Sequence, residues 1–578
     1  MAEIKFMIIH MKEILKRHWQ ILSLSIVIGL LFIYPHIYLR TFDSAHFMGV
    51  DVLGSDAESH YVARIQEVYD GHQALGQTFL WEGKDLPYLG PPFEEAAVAY
   101  MGKALWMNSV QVNIFAKFLF GLLLSLVIYF FVLELFSDRL LALSATAFIL
   151  LGSVLTSLPD IRSLLSPEVK NFEFLRYARP INPLISSLVM FGYLLAFLRH
   201  QRSRSKTYFA ASGILLGLSF YAYVYIWTYL LVMNGLLLLW YAARKNLTLC
   251  RDTALITALS LVIALPYLMS AYSMSHHPFY QGVFERQGFF RTHMPILSKF
   301  GLLGLLAIVF SFLKKSPAIT AYGVIAFVAS LVAINHQVLT GINIQNDHYH
   351  WYVVTPLASV FILTSLYFYV GKISGMKAQK ALSTFLIAVF LFTGFFVQYR
   401  SYGAMRDETL RNQRLAPVLD WLKKNVPAES VIFSSRLFSD LIPVYTPFNV
   451  YYSSYAPYYL ISDERLLTGY FLQVLFEGVS EKDAREYFMS HKDSVAANLF
   501  MLKYRYTNGC SACFPDTLLT ELTEKYKNFL NEGVQIRTRK YRLDYIVWDK
   551  ETNPGWKFMD REVQQLFVSG DIVVLKVF

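Results

Sequence analysis

Charged residues are scarce in this sequence. Lys, Arg, Asp and Glu make up only 16% of its 578 residues, and hydrophobic residues make up 55%. An average soluble domain has about 25% charged residues. This scarcity, together with a mean hydropathy of +0.38, excludes a disordered chain and argues against a water-soluble globule. The sequence also has no internal repeat and no low-complexity segment, which excludes a collagen-like or solenoid chain.

Cysteine is nearly absent, with three residues in the whole chain. Three cysteines cannot form a disulfide framework. Cys250 lies in a basic stretch between apolar runs and is expected to be inert, whereas Cys510 and Cys513 form the loop NGCSACF. A single CxxC is a weak metal signal and a redox role needs a strand-then-helix context, so we expect a local disulfide in an oxidising compartment.

Long apolar runs dominate the sequence up to about residue 404. An apolar run of about 20 residues crosses a bilayer, and eleven candidates are centred near residues 29, 124, 149, 191, 215, 233, 263, 306, 326, 361 and 389. The stretch 208–243 has no charged residue and would be about 54 Å long as one helix. Because both of its flanks are basic, it is predicted to be two helices with a tight turn near residues 221–225.

Basic residues mark the short gaps between these spans. The 52 basic residues outnumber the 42 acidic ones, and their position between apolar runs indicates orientation signals facing membrane lipids rather than nucleic-acid binding. With a cytoplasmic amino terminus, the even-numbered gaps are cytoplasmic. They carry Arg139, Arg199, Arg202, Arg204, Lys206, Arg244, Lys245, Arg251, Lys314, Lys315, Lys372, Lys377 and Lys380. The first span lacks a small-residue cleavage pattern and is expected to stay as an anchor.

The same orientation places every long segment outside the cytoplasm. These segments are a first loop (41–111), a second (158–182), a third (273–297), a fourth (335–350) and a tail (405–578). The tail alternates amphipathic helical patterns (410–424 and 516–531) with strand-like runs (SVIFSS, DYIVWD and DIVVLKV). We therefore expect a membrane domain over 1–404 and an exocytoplasmic mixed α/β domain over 405–578.

The first loop carries the most informative motif, GVDVLGSDAESHYVARIQEVYDG, which is followed by DLPYLGPPFEEAAVAYMGKAL. Ser55 is a candidate N-cap for a helix from Asp56 to about Tyr69. On that helix Asp56, His60 and Arg64 share one face. Two interpretations remain open: the three side chains form a site, or Asp56 caps the helix and the other two are solvated.

This arrangement resembles the GT-C superfamily of membrane glycosyltransferases, in particular the branch of the protein O-mannosyltransferases and the lipid A aminoarabinose transferases. In that branch the first outer loop reads Asp-Glu, then Arg-Tyr or similar, and later Pro-Pro. By this resemblance Asp56 is the catalytic aspartate, Tyr61 the tyrosine, and Pro91 and Pro92 the Pro-Pro. The sequence departs from the pattern at Ala57, because the glutamate comes one position later, as Glu58.

The resemblance implies a GT-C-like fold with about 11 transmembrane helices and a polyprenyl-phosphate-linked sugar as donor. Transfer from such a donor needs a base for the acceptor hydroxyl, the role expected of Asp56. It also needs cations for the departing phosphate. Arg176 and Arg179 in the second loop and Arg286 and Arg291 in the third are candidates, with lipid headgroups as the alternative partners of the first pair. Asp160, Glu168 and Glu173 are candidates for a second acid.

The fourth loop, NHQVLTGINIQNDHYHWYVV, is unusually polar for a short connection between apolar runs. Its amides, His348, His350 and Trp351 suit sugar hydroxyls and a sugar face, and we expect a substrate wall there. Metal binding by Asp347, His348 and His350 is an open alternative. We assign no metal ligand and no certain cofactor, and leave a divalent cation open. The consecutive tryptophans and aspartate of oligosaccharyltransferases are absent from the tail.

The sequence thus predicts an inverting glycosyltransferase in the plasma (inner) membrane, with a cytoplasmic amino terminus and chemistry on the outer face. Asp56 is the expected base, and the expected substrate-binding residues are Glu58, His60, Tyr61, Arg64, Arg176, Arg179, Arg286, Arg291, His348 and His350. The acceptor is a glycan, a lipid or a protein. The alternative is a non-enzymatic protein such as a lipid-linked sugar flippase or an envelope assembly factor, although a transporter is expected to carry charges within its spans. A polymerase or ligase using diphosphate-linked oligosaccharides ranks third.

Overall fold

A computed structural model describes residues 2–54, 57–166, 173–314, 320–531, 540–558 and 562–578, with side chains from residue 16 onward. The first 412 residues form long apolar helices and, in the loops, short polar ones. They are α1 (Ala2–Phe32), α2 (Tyr34–Thr41), α3 (Glu58–Asp70), α4 (Phe93–Ala104), α5 (Ser109–Phe136), α6 (Arg139–Leu151), α7 (Leu158–Leu165), α8 (Ile185–Ser203), α9 (Lys206–Ala222), α10 (Val224–Ala243), α11 (Leu247–Ser275), α12 (Tyr280–Arg286), α13 (Lys299–Leu313), α14 (Ala321–Ala333), α15 (Gln337–Thr340), α16 (Asn346–Tyr349) and α17 (Thr355–Asn412). Two short strands, β1 (Phe290–Arg291) and β2 (Ile342–Asn343), pair the third loop with the fourth.

A helix covers each of the eleven predicted span centres. By length and composition, however, five stretches of the described residues can cross a membrane, or six if the pair Lys16–Phe32 and Tyr34–Thr41, bent by 60°, is one span. The helices α6, α13 and α14 are apolar but shorter than 18 residues. The chain therefore has the apolar helices of a multi-pass membrane protein, and the number of eleven crossings stays a prediction.

The charge-free stretch 208–243 divides as predicted. The helix α9 ends at Ala222 and α10 begins at Val224, and Tyr223 between them has the extended backbone φ of −152°. A second break lies inside α17, where Gly375 takes the left-handed φ of +80°, which suits glycine because it has no Cβ. Both breaks let an apolar stretch turn within a short length of chain.

The short basic segments between the predicted spans meet at one end of the helical bundle. Arg202 at the end of α8 forms an ion pair with Glu134 of α5 (2.8 Å), and Arg204 pairs with Asp252 of α11 (3.2 Å). The Nη1 of Arg139 donates to the carbonyl of Arg17 (3.3 Å). Segments predicted to share a compartment thus lie together, while the side of the membrane on which they lie stays a prediction.

The tail combines helices with a five-stranded sheet. Its helices are α18 (Ala416–Asn425), α19 (Arg436–Tyr445), α20 (Asp463–Phe476), α21 (Ala484–Ser490), α22 (Lys492–Val495), α23 (Arg505–Asn508) and α24 (Asp516–Asn531). Its strands are β3 (Val431–Ser434), β4 (Asn449–Val450), β5 (Tyr545–Asp549), β6 (Val563–Ser569) and β7 (Ile572–Val577). The sheet order is β4-β3-β5-β7-β6, with β3 parallel to β4 and β5 and the other pairs antiparallel. The predicted mixed α/β composition is confirmed.

The tail packs closely on the first loop. Val450 of β4 donates its backbone N–H to the carbonyl of Phe79 (2.8 Å), and the Tyr459 hydroxyl donates to Thr78 Oγ1 (2.8 Å). Phe79 and Leu80 lie in the apolar cores of the tail. The helix α17 also runs past residue 404 into the tail. Loop and tail therefore form one packed body at the end of the bundle opposite the basic gaps.

Candidate functional site

The first-loop helix α3 begins at Glu58, after Ala57 in the left-handed conformation with φ of +51°. Ser55 and Asp56, the predicted N-cap and base, lie outside the described residues. The chain just before them is tightly enclosed, because a Cβ on Gly54 would lie 2.3 Å from Met405 Sδ. The role of Asp56 therefore rests on the sequence and on the surroundings of its neighbours.

Glu58 is buried in a network of fixed partners. Its carboxylate pairs with Lys117 of α5 (2.5 Å) and accepts a hydrogen bond from Asn113 Nδ2 (2.8 Å). Lys117 also donates to His36 Nε2 of α2 (3.0 Å). Burial raises the pKa of Glu58, but the charges of Lys117 and His36 outweigh it, and the net pKa is lowered. Glu58 is thus an ionised anchor of α3, and a contact between Glu58 and substrate stays a prediction.

Arg64, which the sequence places on one helix face with His60, forms an ion pair with a carboxylate. Its Nε donates to Glu95 Oε1 of α4 (2.5 Å) and its Nη2 to the carbonyl of Gly90 (3.0 Å). Burial lowers the pKa of Arg64, but the adjacent Glu95 carboxylate raises it overall. The pair joins α3 to the turn that contains Pro91 and Pro92. A contact between Arg64 and substrate also stays a prediction.

His60 faces the tail. Its Nε2 shares a hydrogen bond with the Tyr459 hydroxyl (2.7 Å), and its ring stacks on Tyr455 with centroids 5.1 Å apart. Burial lowers the pKa of His60 well below its usual value, and the charges of Arg64 and Arg179 lower it further. The imidazole is therefore neutral at physiological pH.

An aromatic cluster lies where the second loop, the fourth loop and the α9–α10 break meet the next turn of α3. We call it the aromatic site. Its members are Tyr61, Arg179, Tyr223, Tyr225, His348 and Tyr352. The Tyr223 hydroxyl and His348 Nδ1 share a hydrogen bond. The imidazole of His348 stacks on Tyr225 with centroids 4.7 Å apart.

Arg179 enters the aromatic site from a strained turn of the second loop. Its guanidinium lies over the ring of Tyr61, 4.7 Å from the centroid, and its Nε donates to the carbonyl of Ile181 (2.9 Å). Asn182, with φ of +35°, donates its N–H to Glu94 Oε2 of α4 (2.8 Å). Burial raises the pKa of Glu94 well above its usual value, and the charge of Glu95 raises it further. Glu94 thus fixes the turn that aims Arg179.

Arg176 lies beside the aromatic site, and one of its nitrogen donors has no hydrogen-bond partner among the described residues. Its guanidinium stacks on Trp351, 3.3 Å from the ring centroid, and lies 3.8 Å from the carboxylate of Asp160. No described residue hydrogen-bonds its buried Nη1 or the buried hydroxyl of Thr355. Both residues line a small cavity together with Trp351. Burial lowers the pKa of Arg176, so a bound anion would relieve an unfavourable environment.

The two third-loop arginines are placed differently. Arg286 is buried, donates to Asp463 Oδ1 of the tail (2.8 Å) and bonds the carbonyl of Pro457 (3.3 Å). It lies in the wall of a second cavity between α12 and the tail, which is lined by both leucines and charged side chains. Arg291 lies in β1 with an exposed side chain. The structure therefore does not bring Arg286 into the aromatic site, and substrate binding by either arginine stays a prediction.

Polar residues of the fourth loop point to separate partners. His350 Nδ1 is hydrogen-bonded to Ser298 Oγ (2.9 Å), and Asp347 Oδ2 accepts from the Tyr506 hydroxyl (3.3 Å). Within the described ranges no group of three His, Cys, Asp or Glu side chains could hold a metal ion. Asp347, His348 and His350 thus do not form such a group, and binding of a divalent cation stays an open prediction.

The three candidates for a second acid in the second loop do not share one environment. Asp160 is the one beside Arg176, Glu173 is exposed, and Glu168 lies outside the described residues. The predicted disulfide is confirmed, since Cys510 and Cys513 are bonded. Cys250 is a free, half-buried thiol in α11.

Sequence reasoning brought Tyr61, Arg179 and His348 to one place but missed four of the residues around them. These are Glu94, Tyr223, Tyr225 and Tyr352. Two signals were available: tyrosines at the break of a charge-free stretch, and an acidic pair directly after Pro-Pro.

Comparisons with known proteins give structural likenesses only. No family model matches the chain, and no curated protein matches it. The chain resembles the Archaeoglobus fulgidus oligosaccharyltransferase in the apo form (15% identity, 93% of this chain, 70% of that chain, TM-score 0.47). It also resembles ArnT from Cupriavidus metallidurans bound to undecaprenyl phosphate (11% identity, 97% and 98% coverage, TM-score 0.47). A likeness at this level of identity and TM-score assigns no family, residue, substrate or reaction to the chain.

Proposed function

We propose that the protein is a membrane glycosyltransferase of the GT-C kind that transfers a sugar from a polyprenyl-phosphate donor to an acceptor hydroxyl. The four loops and the tail meet at one end of the helical bundle, and we assign this end to the outer face of the plasma (inner) membrane. The amino terminus is then cytoplasmic. The acceptor is a glycan, a lipid or a protein.

The observation that carries the proposal is the environment of the Arg176 guanidinium. The guanidinium stacks on Trp351 at 3.3 Å, and its buried Nη1 has no hydrogen-bond partner among the described residues, so the group is oriented without a close counter-charge there. Arginine binds phosphate oxygens through its forked donors. We propose that Arg179, which lies over Tyr61 in the same loop, supplies a second guanidinium. The anionic group of a lipid-phosphate donor fits such a pair.

The aromatic rings provide the surface for the sugar. Trp351, Tyr223 and Tyr352 lie beside the two arginines, and an aromatic face packs well against the apolar face of a sugar ring. The amide side chain of Asn346 in the fourth loop supplies hydrogen-bonding groups next to His348, whereas Gln345 is already bonded to the Tyr225 hydroxyl (3.1 Å) and to the carbonyl of Gln287 (2.5 Å). In this proposal Glu58, Arg64 and Arg286 hold the surrounding elements in place.

The reaction is a single displacement. Asp56 takes the proton of the acceptor hydroxyl while its oxygen attacks the anomeric carbon, and the bond from that carbon to the phosphate oxygen breaks. The configuration inverts. The phosphate leaves with the bonding electron pair, and Arg176 and Arg179 stabilise its charge.

The test uses purified Asp56→Asn and Asp56→Ala, with Asp85→Asn as the matched control from an exposed position of the same loop. Sugar release from a lipid-phosphate donor is measured. Removal of a general base costs about 10² to 10⁴ in rate, so both Asp56 variants should lose activity by that factor and the control should not. Full activity in both would remove Asp56 from the mechanism. Donor transport across vesicles without any sugar transfer would favour a flippase instead.

A further inference from the structure

The chain enters the helix α17 through a π turn. Residues His350–Val354 form this turn, and the N–H of Thr355 donates to the carbonyl of His350, five positions back. Single π turns are rare and occur frequently at functional sites. Trp351, on which Arg176 stacks, belongs to the same turn. The turn therefore connects the stacking partner of Arg176 to the first residue of α17.

The hydroxyl of Thr355 differs from other hydroxyl groups of α17. Those of Ser359 and Thr364 donate to the carbonyl four positions back, at 2.8 Å and 2.6 Å. Thr355 is only 4% exposed, and its hydroxyl has no hydrogen-bond partner among the described residues. Burial of an unpaired hydroxyl is unfavourable. A ligand that accepts a hydrogen bond from Thr355 would remove this cost.

Thr355 and Arg176 line one small cavity between α6, the second loop and α17. Its volume is about 10 Å³, roughly the space that one water molecule or one ligand oxygen needs. None of the described residues that line it is acidic. The carboxylate of Asp160 lies 3.8 Å from Arg176 on the other terminal nitrogen, Nη2. A cation would thus find no counter-charge in the cavity, whereas an anionic oxygen would meet a guanidinium and a hydroxyl.

We propose that Thr355 and Arg176 together bind one non-bridging phosphate oxygen of the lipid donor in this cavity. Thr355 is then a further donor-binding residue, at the junction of the fourth loop with α17. The inference rests on the proposed function, because it takes the ligand to be a polyprenyl phosphate. Hydrogen bonds to an ionised oxygen are charge-assisted and strong, and one such oxygen satisfies both buried donors.

The experiment measures binding of undecaprenyl phosphate to the purified full-length protein in detergent. Thr355→Val keeps the shape of the side chain and removes the hydroxyl. Binding should weaken about tenfold, since a hydrogen bond to a charged group is worth about that factor. Thr355→Ser keeps the hydroxyl and should retain most of the affinity. The matched control is Thr364→Val, a buried threonine of the same helix whose hydroxyl is already bonded to the backbone, and it should bind as the wild type does.

Thermal midpoints without lipid separate a ligand site from a structural one. Thr355→Val should be at least as stable as the wild type, because it removes an unpaired buried hydroxyl. A lower midpoint in Thr355→Val would show that the hydroxyl bonds a structural water, and it would overturn the proposal.

A second lipid distinguishes the two sources of a phosphate oxygen. Phosphatidylglycerol should bind more weakly than undecaprenyl phosphate and should be affected less by Thr355→Val. If both lipids bind equally and lose the same factor in Thr355→Val, the cavity binds a phospholipid headgroup and the donor role of Thr355 is wrong.

The inference and the proposed function fail separately. If Arg176→Gln weakens binding of undecaprenyl phosphate while Thr355→Val binds like Thr364→Val, the inference about Thr355 is wrong and the proposed function stands. If the wild type does not bind the lipid, both are wrong.

Discussion

The cations at the loop end of the bundle divide into two kinds. Around the start of α3 the cations are closed, which here means that each forms an ion pair with a carboxylate. Lys117 pairs with Glu58 and Arg64 pairs with Glu95, both at 2.5 Å and both buried. Beside the aromatic site, Arg176 is open: it stacks on Trp351, and no described residue hydrogen-bonds its buried Nη1.

We expect the two kinds of cation to have different roles, one in stabilising the fold and the other in binding a ligand. A buried cation already paired with a carboxylate holds its elements together, and removal of one partner leaves a buried charge uncompensated. A cation that is oriented by an aromatic ring keeps its donors for a ligand. Closed cations should therefore matter chiefly for stability and open ones chiefly for activity.

The largest expected effect is on the closed pair of Glu58. Lys117→Met leaves the Glu58 carboxylate buried without its cation, which typically costs about 3–5 kcal/mol. The thermal midpoint of the purified protein should fall sharply. The double variant Lys117→Met/Glu58→Gln should recover much of the loss, because no buried charge remains. If Lys117→Met alone were as stable as the wild type, the pair would not anchor α3.

The open cation Arg176 should respond in the opposite way. Arg176→Gln should lower kcat/KM for the lipid donor about 10²-fold, as loss of one transition-state donor does, with little change in the thermal midpoint. Arg162→Gln, at an exposed position of α7 in the same loop, serves as the control and should leave kcat/KM unchanged. A stability loss without a loss of kcat/KM would make Arg176 a structural residue.

The aromatic partner of Arg176 should have a smaller effect. Trp351→Leu removes a cation–π contact worth about 0.5–2 kcal/mol, so donor affinity should fall several-fold. Trp240→Leu is a matched control, because Trp240 lies 5.6 Å from Arg244 at the basic end of the bundle. Equal losses in both variants would show that tryptophan removal acts through packing or lipid contact rather than through the site.

The smallest effect concerns pH and Glu94. Burial holds the pKa of the folded Glu94 well above 4.5, so above pH 4.5 the folded state binds more protons than the unfolded state, and stability falls as pH rises. Glu94→Gln removes this fall. Thermal midpoints measured from pH 4 to pH 8 should therefore decline less in Glu94→Gln than in the wild type and converge at low pH. Parallel curves would contradict a raised pKa.

The carboxyl of Glu58 gives the opposite sign. Its pKa is lowered in the folded state by Lys117 and His36 against the effect of burial, so its contribution to stability is present above its unfolded pKa and is lost as pH falls through the folded value. A variant at Glu58 should therefore differ from the wild type most at neutral pH.

The local features of the fold could be predicted from the sequence. The break at Tyr223 followed from basic flanks on both sides of a charge-free stretch, and the helix Asp516–Asn531 and the strands β3, β5 and β7 followed from hydrophobic periodicity. These signals are contained within about 20 to 40 residues of chain. The short strand β4 carries no such pattern, because two residues are too few to show one.

The partners of the charged residues could not be predicted. The shared helix face with His60 predicts that Arg64 binds substrate, whereas in the structure Arg64 pairs with Glu95, 31 positions away. Arg286 is closed by Asp463, 177 positions away. Such pairings depend on how separate helices pack, which periodicity does not contain. Spacing on one helix shows which way a side chain points, and not what meets it there.

A structure of the purified protein with bound undecaprenyl phosphate would test the proposed donor site most directly. We predict that the phosphate contacts the guanidinium of Arg176 or Arg179, beside Trp351 and Tyr61. A phosphate bound instead in the cavity next to Arg286, or at the basic end near Arg204, would contradict the proposed site.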